Sequence, residues 1–253
     1  MTANAKITTH LQDDQSHKSV WSDFRSSGLL AKWPGIGLLM FIFGSLMFGG
    51  LTYNLFAHGP LLAWDKALAN TLPAIGLKSP VYVKDIMIAG FYMGKEVVTG
   101  LSILFSLYFL YKRYWQEFAM MTIGWLGSAV LFNAFSRFIG RVRPPTQIWI
   151  IVHLPGFPSG HAVAVVTFYG LIAYLLAPKI HSAFGKIVVI MVALFIIVFV
   201  GFSRIFTGGH YLTDILAGYA VGIAWFGMAY TLIEIYFQKR RSRNVKKGKI
   251  HSS

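Results

Sequence analysis

The sequence predicts an all-α integral membrane protein with six transmembrane helices and both termini in the cytoplasm. Three observations predict it. Charged residues make up 13% of the chain against 55% hydrophobic ones, a balance that few water-soluble surfaces tolerate. Stretches such as 33–64, 118–136 and 187–203 contain no Lys, Arg, Asp or Glu, and a bilayer-spanning helix needs roughly 20 mostly apolar residues. Finally, basic residues collect at alternate ends of these stretches, as they do on the cytoplasmic side of membrane proteins.

Taken in order, the spans are expected at 34–56, 86–111, 118–139, 160–177, 186–206 and 211–237. The segment 1–32 is polar, and its length and its Asp13, Asp14 and Asp23 do not suit the n-region of a cleaved signal peptide. Span one is therefore expected to stay as an anchor, behind a mobile cytoplasmic segment. Span two stops before Lys112 and Arg113, where Tyr114 and Trp115 suit the interfacial belt. Span three ends on "FSRFIGRVRPP". The apolar run 144–178 is interrupted by "PGFPSG", so it reads as a loop followed by one helix that begins near Gly160 and stops before Pro178. The expected organisation is one six-span domain, 33–237, followed by a basic cytoplasmic tail, 238–253, with no internal repeat.

Lys18, Arg25 and Lys32 before span one, Lys112 and Arg113 after span two, Lys179 and Lys186 between spans four and five, and the tail "QKRRSRNVKKGK" all fall on one side of this layout. The net charge of +14 does not call for nucleic acid, because seven basic residues crowd into the last fifteen, where anionic lipid headgroups account for them. With no cysteine there is no disulfide framework, thiolate metal site or cysteine nucleophile.

Ionisable residues inside membrane segments are costly, so their positions carry information. Three clusters stand out: Arg137, Arg141 and Arg143 at the end of span three; "FPSGH", Phe157 to His161, opening span four; and "SRIFTGGHYLTD", Ser203 to Asp214, joining spans five and six. The layout places all three on the outer face. In "PSGH", Pro158 stops a preceding helix, Ser159 can cap the next, and Gly160 lets a ligand approach the backbone, an arrangement that can hold phosphate. It is also what an ordinary turn and N-cap would look like. His210 and Asp214 are four residues apart on a helix, close enough for the carboxylate to fix the tautomer of the ring and leave its other nitrogen nucleophilic. A buried, satisfied His/Asp pair would share that spacing.

Two histidines and several arginines converging on one point suggest phosphoryl transfer without metal or other cofactor. His210 would attack phosphorus, His161 would protonate the leaving oxygen, and Arg143 and Arg204 would hold the non-bridging oxygens. A two-metal site would want a cluster of carboxylates, and of nine acidic residues only Asp214 is expected to be well placed, with Glu96 the other one in the outer half of a span.

The order Arg143-Pro144, Pro158-Ser159-Gly160-His161, Ser203-Arg204, His210 and Asp214 closely resembles the signature of the type-2 phosphatidic acid phosphatase superfamily of integral membrane lipid phosphatases. The resemblance covers about 136–214. It implies His210 as nucleophile, Asp214 orienting it, His161 as acid then base, and Arg143, Arg204, Ser159 and Gly160 around phosphate. It also implies a lipid phosphate or pyrophosphate substrate, such as phosphatidic acid, phosphatidylglycerol phosphate or undecaprenyl pyrophosphate, cleaved on the non-cytoplasmic side among membrane lipids.

One position departs from the pattern. The family's first motif has lysine seven residues before the arginine of Arg-Pro, and Ser136 stands there. Arg137 is expected to swing in across a distortion near Gly140, which would make it a phosphate ligand worth at least about tenfold in rate, unless the site works without that cation or works poorly. Alternatively Lys95, in "MGKEVV", supplies the charge, or forms an ion pair with Glu96 instead. Arg141 is expected at the interface on a lipid headgroup, His58 and His153 in outer loops, and Trp125 and Trp225 in packing. Two further functions compete with hydrolysis: a phosphotransferase passing the phosphoryl group to another lipid or glycan, and a non-catalytic binder, against which intact His161, His210 and Asp214 argue.

Overall fold

The computed structural model describes residues 33–250, with side chains up to Asn244. The expected mobile segment 1–32 and the last residues of the basic tail lie outside the described residues. Eight α-helices follow in order: α1 Pro34–Phe56, α2 Leu61–Lys78, α3 Val81–Tyr92, α4 Lys95–Tyr111, α5 Trp115–Ile139, α6 Gly160–Leu176, α7 Ala183–Phe206 and α8 Leu212–Ile250. Among the described residues there is no strand. Among the described residues, five helices are long and apolar enough to cross a membrane, and α3 with α4, bent by 43°, makes a sixth if the pair counts as one span. The protein is an all-helical, multi-pass membrane protein.

Four of the expected spans stand within a few residues of their expected bounds. The second differs: it starts at Val81 rather than residue 86 and breaks at Met93 and Gly94. A Cβ on Gly94 would come within 2.5 Å of the His161 ring, so the break is where the chain lets a side chain of α6 pass close to its backbone. The sixth continues as helix to Ile250, through the segment expected as a separate basic tail. Its long stems of Lys and Arg are good helix formers, and nothing in the sequence there stops the ladder before Gly248.

Helix α2 was not anticipated. Its Asp65, Lys66 and Lys78 interrupt the apolar run, but Asp65, Ala69, Pro73 and Gly76 fall on one stripe and are buried. It is an amphipathic helix beside the bundle rather than a span.

Helices α6 and α8 form the centre, which explains why their faces are the most completely buried. Met120 and Met121 of α5, Val165, Phe168 and Leu171 of α6, and Phe226 and Tyr230 of α8 make the main apolar core. Helix α1 closes on α8 through small residues, Gly37 and Gly44, which with Leu51 are its buried positions. A Cβ on Gly44 would lie 2.5 Å from the Ala220 carbonyl oxygen, so the two backbones meet where only glycine fits. In lipid, where apolar burial gives no advantage over tails, such close van der Waals contact is what holds helices together. By contrast, α7 is apolar all round and buries mainly its last turns, Val200 and Gly201 and Ser203 to Phe206. Those turns are the ones that reach the site.

Candidate active site

The C-terminus of α5, the N-terminus of α6, the C-terminus of α7, the N-terminus of α8 and the N-terminus of α4 come together at one end of the bundle. Gly140 ends α5 in the left-handed region, φ 64°, with its N–H on the Ser136 carbonyl 3.0 Å away, and so starts the long loop 140–159. That loop is tied back at both ends. Gly156 N–H donates to Arg141 O at 2.8 Å, and Ser159 N–H donates to Asp214 O at 2.9 Å, which joins the "PSGH" segment directly to α8. Thr146 Oγ1 also donates to Ala69 O of α2 at 2.7 Å.

Residues 203–214 form the tight joint between α7 and α8. Arg204 O accepts from the N–H groups of Gly209 and His210, at 2.9 and 3.2 Å, which turns the chain and sets His210 down fully buried at the mouth of α8. His210 Nδ1 faces Asp214 Oδ2 at 3.4 Å, and its Nε2 faces Arg143 Nη1 at 2.8 Å. A guanidinium can only donate. Nε2 therefore carries the lone pair and Nδ1 the hydrogen, which faces Asp214 without closing a hydrogen bond. Burial pushes the His210 imidazole well below its ordinary range, and Arg143, Arg204 and His161 add to the effect. The ring is neutral.

Arg143 is held by backbone: Nε donates to Leu154 O at 2.7 Å and Nη1 to Gly209 O at 2.6 Å. Burial lowers its pKa, with Asp214 opposing. Arg204, 1% exposed, lies with its guanidinium carbon 4.2 Å from the centre of the Phe91 ring. The same ring stands 4.9 Å from that of His161. Phe91 of α3 is thus a shared wall that sets Arg204 and His161 side by side.

Ser159 occupies the N-cap position of α6, but its hydroxyl makes no cap hydrogen bond, contrary to the expectation of a capping role. It is instead fully buried with no protein partner, as are Nε and Nη1 of Arg204. Buried donors are nearly always paired. Three unpaired donors beside two histidines are available to the oxygens of an anion. Gly160 follows at the first turn of α6, where a Cβ would meet the Phe132 ring at 3.0 Å.

Of the residues expected from the sequence, Arg143, Ser159, Gly160, His161, Arg204, His210 and Asp214 are brought together. Arg137 is not: it is exposed, while Ser136 beside it is buried. No distortion carries it in, because α5 stays helical through Ile139 and Gly140 bends the chain only after it. Lys95 Nζ lies 5.9 Å from the centre of the Phe132 ring, which itself abuts Gly160, so this cation stands at the rim. His58 and His153 are exposed, and Trp125 and Trp225 serve packing, donating to Thr99 Oγ1 and Gly124 O.

Arg141 is a correction. It does not reach toward headgroups but is bound between two carboxylates, with Nη1 2.6 Å from Asp214 Oδ1 and Nη2 2.8 Å from Asp65 Oδ2. Burial works against its charge, yet Asp214 and Asp65 outweigh it and hold the guanidinium above its ordinary value. The expectation that Asp214 alone among the acids is well placed is likewise overturned. Asp65 reaches the cluster from α2, and Glu96 Oε2 lies 3.5 Å from His161 Nε2 rather than serving Lys95. Asp65 escaped sequence reasoning because α2 did. The available signal was a carboxylate followed at four-residue spacing by Ala69 and Pro73, the inward stripe of an amphipathic helix.

Residues 118–237 match the PAP2 superfamily. The chain is similar to phosphatidylglycerophosphatase B of Bacillus subtilis, 29% identical over 168 residues that cover 64% of this chain and 79% of the relative. It is also similar to lipid A 1-phosphatase of Rhizobium johnstonii, 27% identical over 211 residues that cover 69% and 82% of the two chains. Its fold is that of a transmembrane PAP2-type phosphatidylglycerolphosphate phosphatase from Bacillus subtilis solved by crystallography, with a TM-score of 0.62 and 23% identity over 80% of this chain and 96% of that one.

Proposed function

We propose that the chain, whose residues 118–237 match the PAP2 superfamily, is a metal-independent lipid phosphatase working through a phosphohistidine on His210. The observation that carries this proposal is the placement of His210 between Asp214 and Arg143, at 3.4 and 2.8 Å, beside the unpaired donors of Ser159 and Arg204.

The phosphate enters among Arg143, Arg204, Ser159 and the backbone at Gly160. Arg143 Nη1 passes from Nε2 to a non-bridging oxygen, which releases the lone pair. Nε2 attacks phosphorus; the N–P bond forms as the bond to the lipid oxygen breaks, and His161 gives that oxygen its proton. The charge developing on the ring is held through Nδ1–H by Asp214. Water then attacks phosphorus, His161 takes its proton, the N–P bond breaks, and inorganic phosphate leaves with His210 and His161 as they began.

The relatives named for phosphatidylglycerophosphate and for lipid A favour a glycerophospholipid or saccharolipid phosphate monoester. Undecaprenyl pyrophosphate and phosphatidic acid belong in the same panel. The distribution of Lys and Arg supports cytoplasmic termini and a site on the non-cytoplasmic side. The test is phosphate release by the purified protein in detergent, with EDTA, from each lipid. Release from at least one, with phosphate as the sole product, is expected; abolition by EDTA overturns the metal-free chemistry, and a phosphorylated acceptor lipid points to phosphotransfer instead.

A further inference from the structure

We propose that Asp65 is a positioning residue of the His210–Asp214 pair, acting through Arg141, and that α2 is thereby part of the active site although it lies outside the matched segment 118–237. The proposal rests on the phosphatase reading above.

The geometry is specific. An arginine meeting a single carboxylate normally closes on it with two parallel hydrogen bonds, one to each oxygen. Here the fork is divided: Arg141 gives Nη1 to Asp214 Oδ1 and Nη2 to Asp65 Oδ2. Asp214 Oδ2 is consequently left for the backbone N–H of Tyr211, at 2.9 Å, and for His210 Nδ1. Without a carboxylate at position 65, Nη2 has no acceptor there and the guanidinium can rotate onto both oxygens of Asp214. It would then compete with His210 for Oδ2 and free the ring to turn.

Asp65 is itself immobilised. Its Oδ1 accepts the N–H of Thr213 at 2.9 Å and its Oδ2 accepts the Thr213 hydroxyl, while Arg141 Nη1 also donates to Thr213 Oγ1 at 2.7 Å. Asp65 is 1% exposed, and the Tyr211 ring covers the Arg141 guanidinium at 4.2 Å. A buried carboxylate with every oxygen assigned is a costly feature for a helix that does not span the membrane. Burying two acids around one arginine makes sense if the second acid controls how the arginine meets the first.

The test is a kinetic comparison of wild type, Asp65→Asn, Arg141→Gln and the double variant, on a lipid phosphate that the wild type turns over, with His210→Ala as the blank. Asparagine keeps the size and the acceptor for Thr213 N–H but cannot hold Nη2 by charge. Asp65→Asn should lower kcat by about thirtyfold with KM within about twofold, slow formation of the phosphoenzyme in a single turnover, and leave its hydrolysis unchanged. The double variant should be no slower than the worse single one, since the two residues act as a unit. A role confined to anchoring α2 would instead lower the melting temperature, spare the phosphorylation step and add to the effect of Arg141→Gln. Unchanged kcat in Asp65→Asn, or additive losses, overturns the inference while the phosphatase reading stands. Equal phosphate release by wild type and His210→Ala overturns both. If Asp65→Asn does not fold, Arg141→Gln takes its place: it removes the bridge and should slow phosphoenzyme formation to a similar degree, and unchanged kcat there is equally fatal.

Discussion

The two histidines of the site each face a carboxylate, and the two pairs are built differently. His210, in the joint before α8, and Asp214, in its first turn, are four residues apart and both wholly buried, and Asp214 is engaged further by Arg141 and the Tyr211 N–H. His161 and Glu96 come from different helices, the carboxylate is 44% exposed, and the contact is 3.5 Å. A nucleophile must present one nitrogen in one orientation, so its pair is rigid and dry. An acid that becomes a base within the same cycle must exchange its proton, so its partner reaches toward water. The difference between the pairs fits the two jobs proposed for them.

The comparison breaks most visibly at the nucleophile. His210→Ala removes the atom that forms the N–P bond, and turnover should fall by about ten-thousandfold or more, roughly 5.4 kcal/mol of transition-state stabilisation. His161→Ala should cost about a hundred- to a thousandfold on a lipid substrate, but far less on an aryl phosphate whose leaving group needs no proton. An equal loss on both substrates would remove His161 from the acid role. The pH profile separates the pairs as well. Because the His210 ring sits below its ordinary 6.5, it stays neutral as pH falls through 6.5, and its protonation can cut kcat/KM only at more acidic pH. An acid limb at 6.5 or above in the wild type would contradict that placement.

A smaller effect is expected at the looser pair. Glu96→Gln keeps the shape but removes the charge next to His161, and kcat should fall by about three- to tenfold, mainly in the step that consumes water. A loss as large as that of His161→Ala would mean that Glu96 is as firmly engaged as Asp214.

Much of this was legible in the sequence, for physical reasons that also mark where legibility ended. The spans were visible because lipid demands long uncharged runs, and the His210/Asp214 pair because its members stand four residues apart in sequence. Arg141 could not be understood alone, since its partner Asp65 stands 76 residues away on an amphipathic helix. Glu96 was visible but assigned to Lys95, its neighbour in sequence, because the 43° bend that turns it to His161 depends on the close approach of α6. Ser159 was expected both as a helix cap and, from the family resemblance, at phosphate; its hydroxyl caps nothing and is buried without a partner.

The smallest expected effect concerns the cation that the first motif lacks. Ser136 is buried and Arg137 exposed, so the charge next to the missing lysine points away from the converging groups. Lys95 stands at the rim, over Phe132, on the residue before Glu96. A rim charge in contact with water acts mainly by attracting and steadying the anion, a long-range and salt-sensitive effect. Lys95→Ala should therefore raise KM by about three- to fivefold at low salt, with the difference shrinking as salt is added, and leave kcat within about twofold. Arg137→Ala should leave both constants within about twofold. Were Arg137→Ala to lower kcat tenfold, Arg137 would have to reach the phosphate in the working enzyme, and α5 would have to unwind ahead of Gly140 to let it.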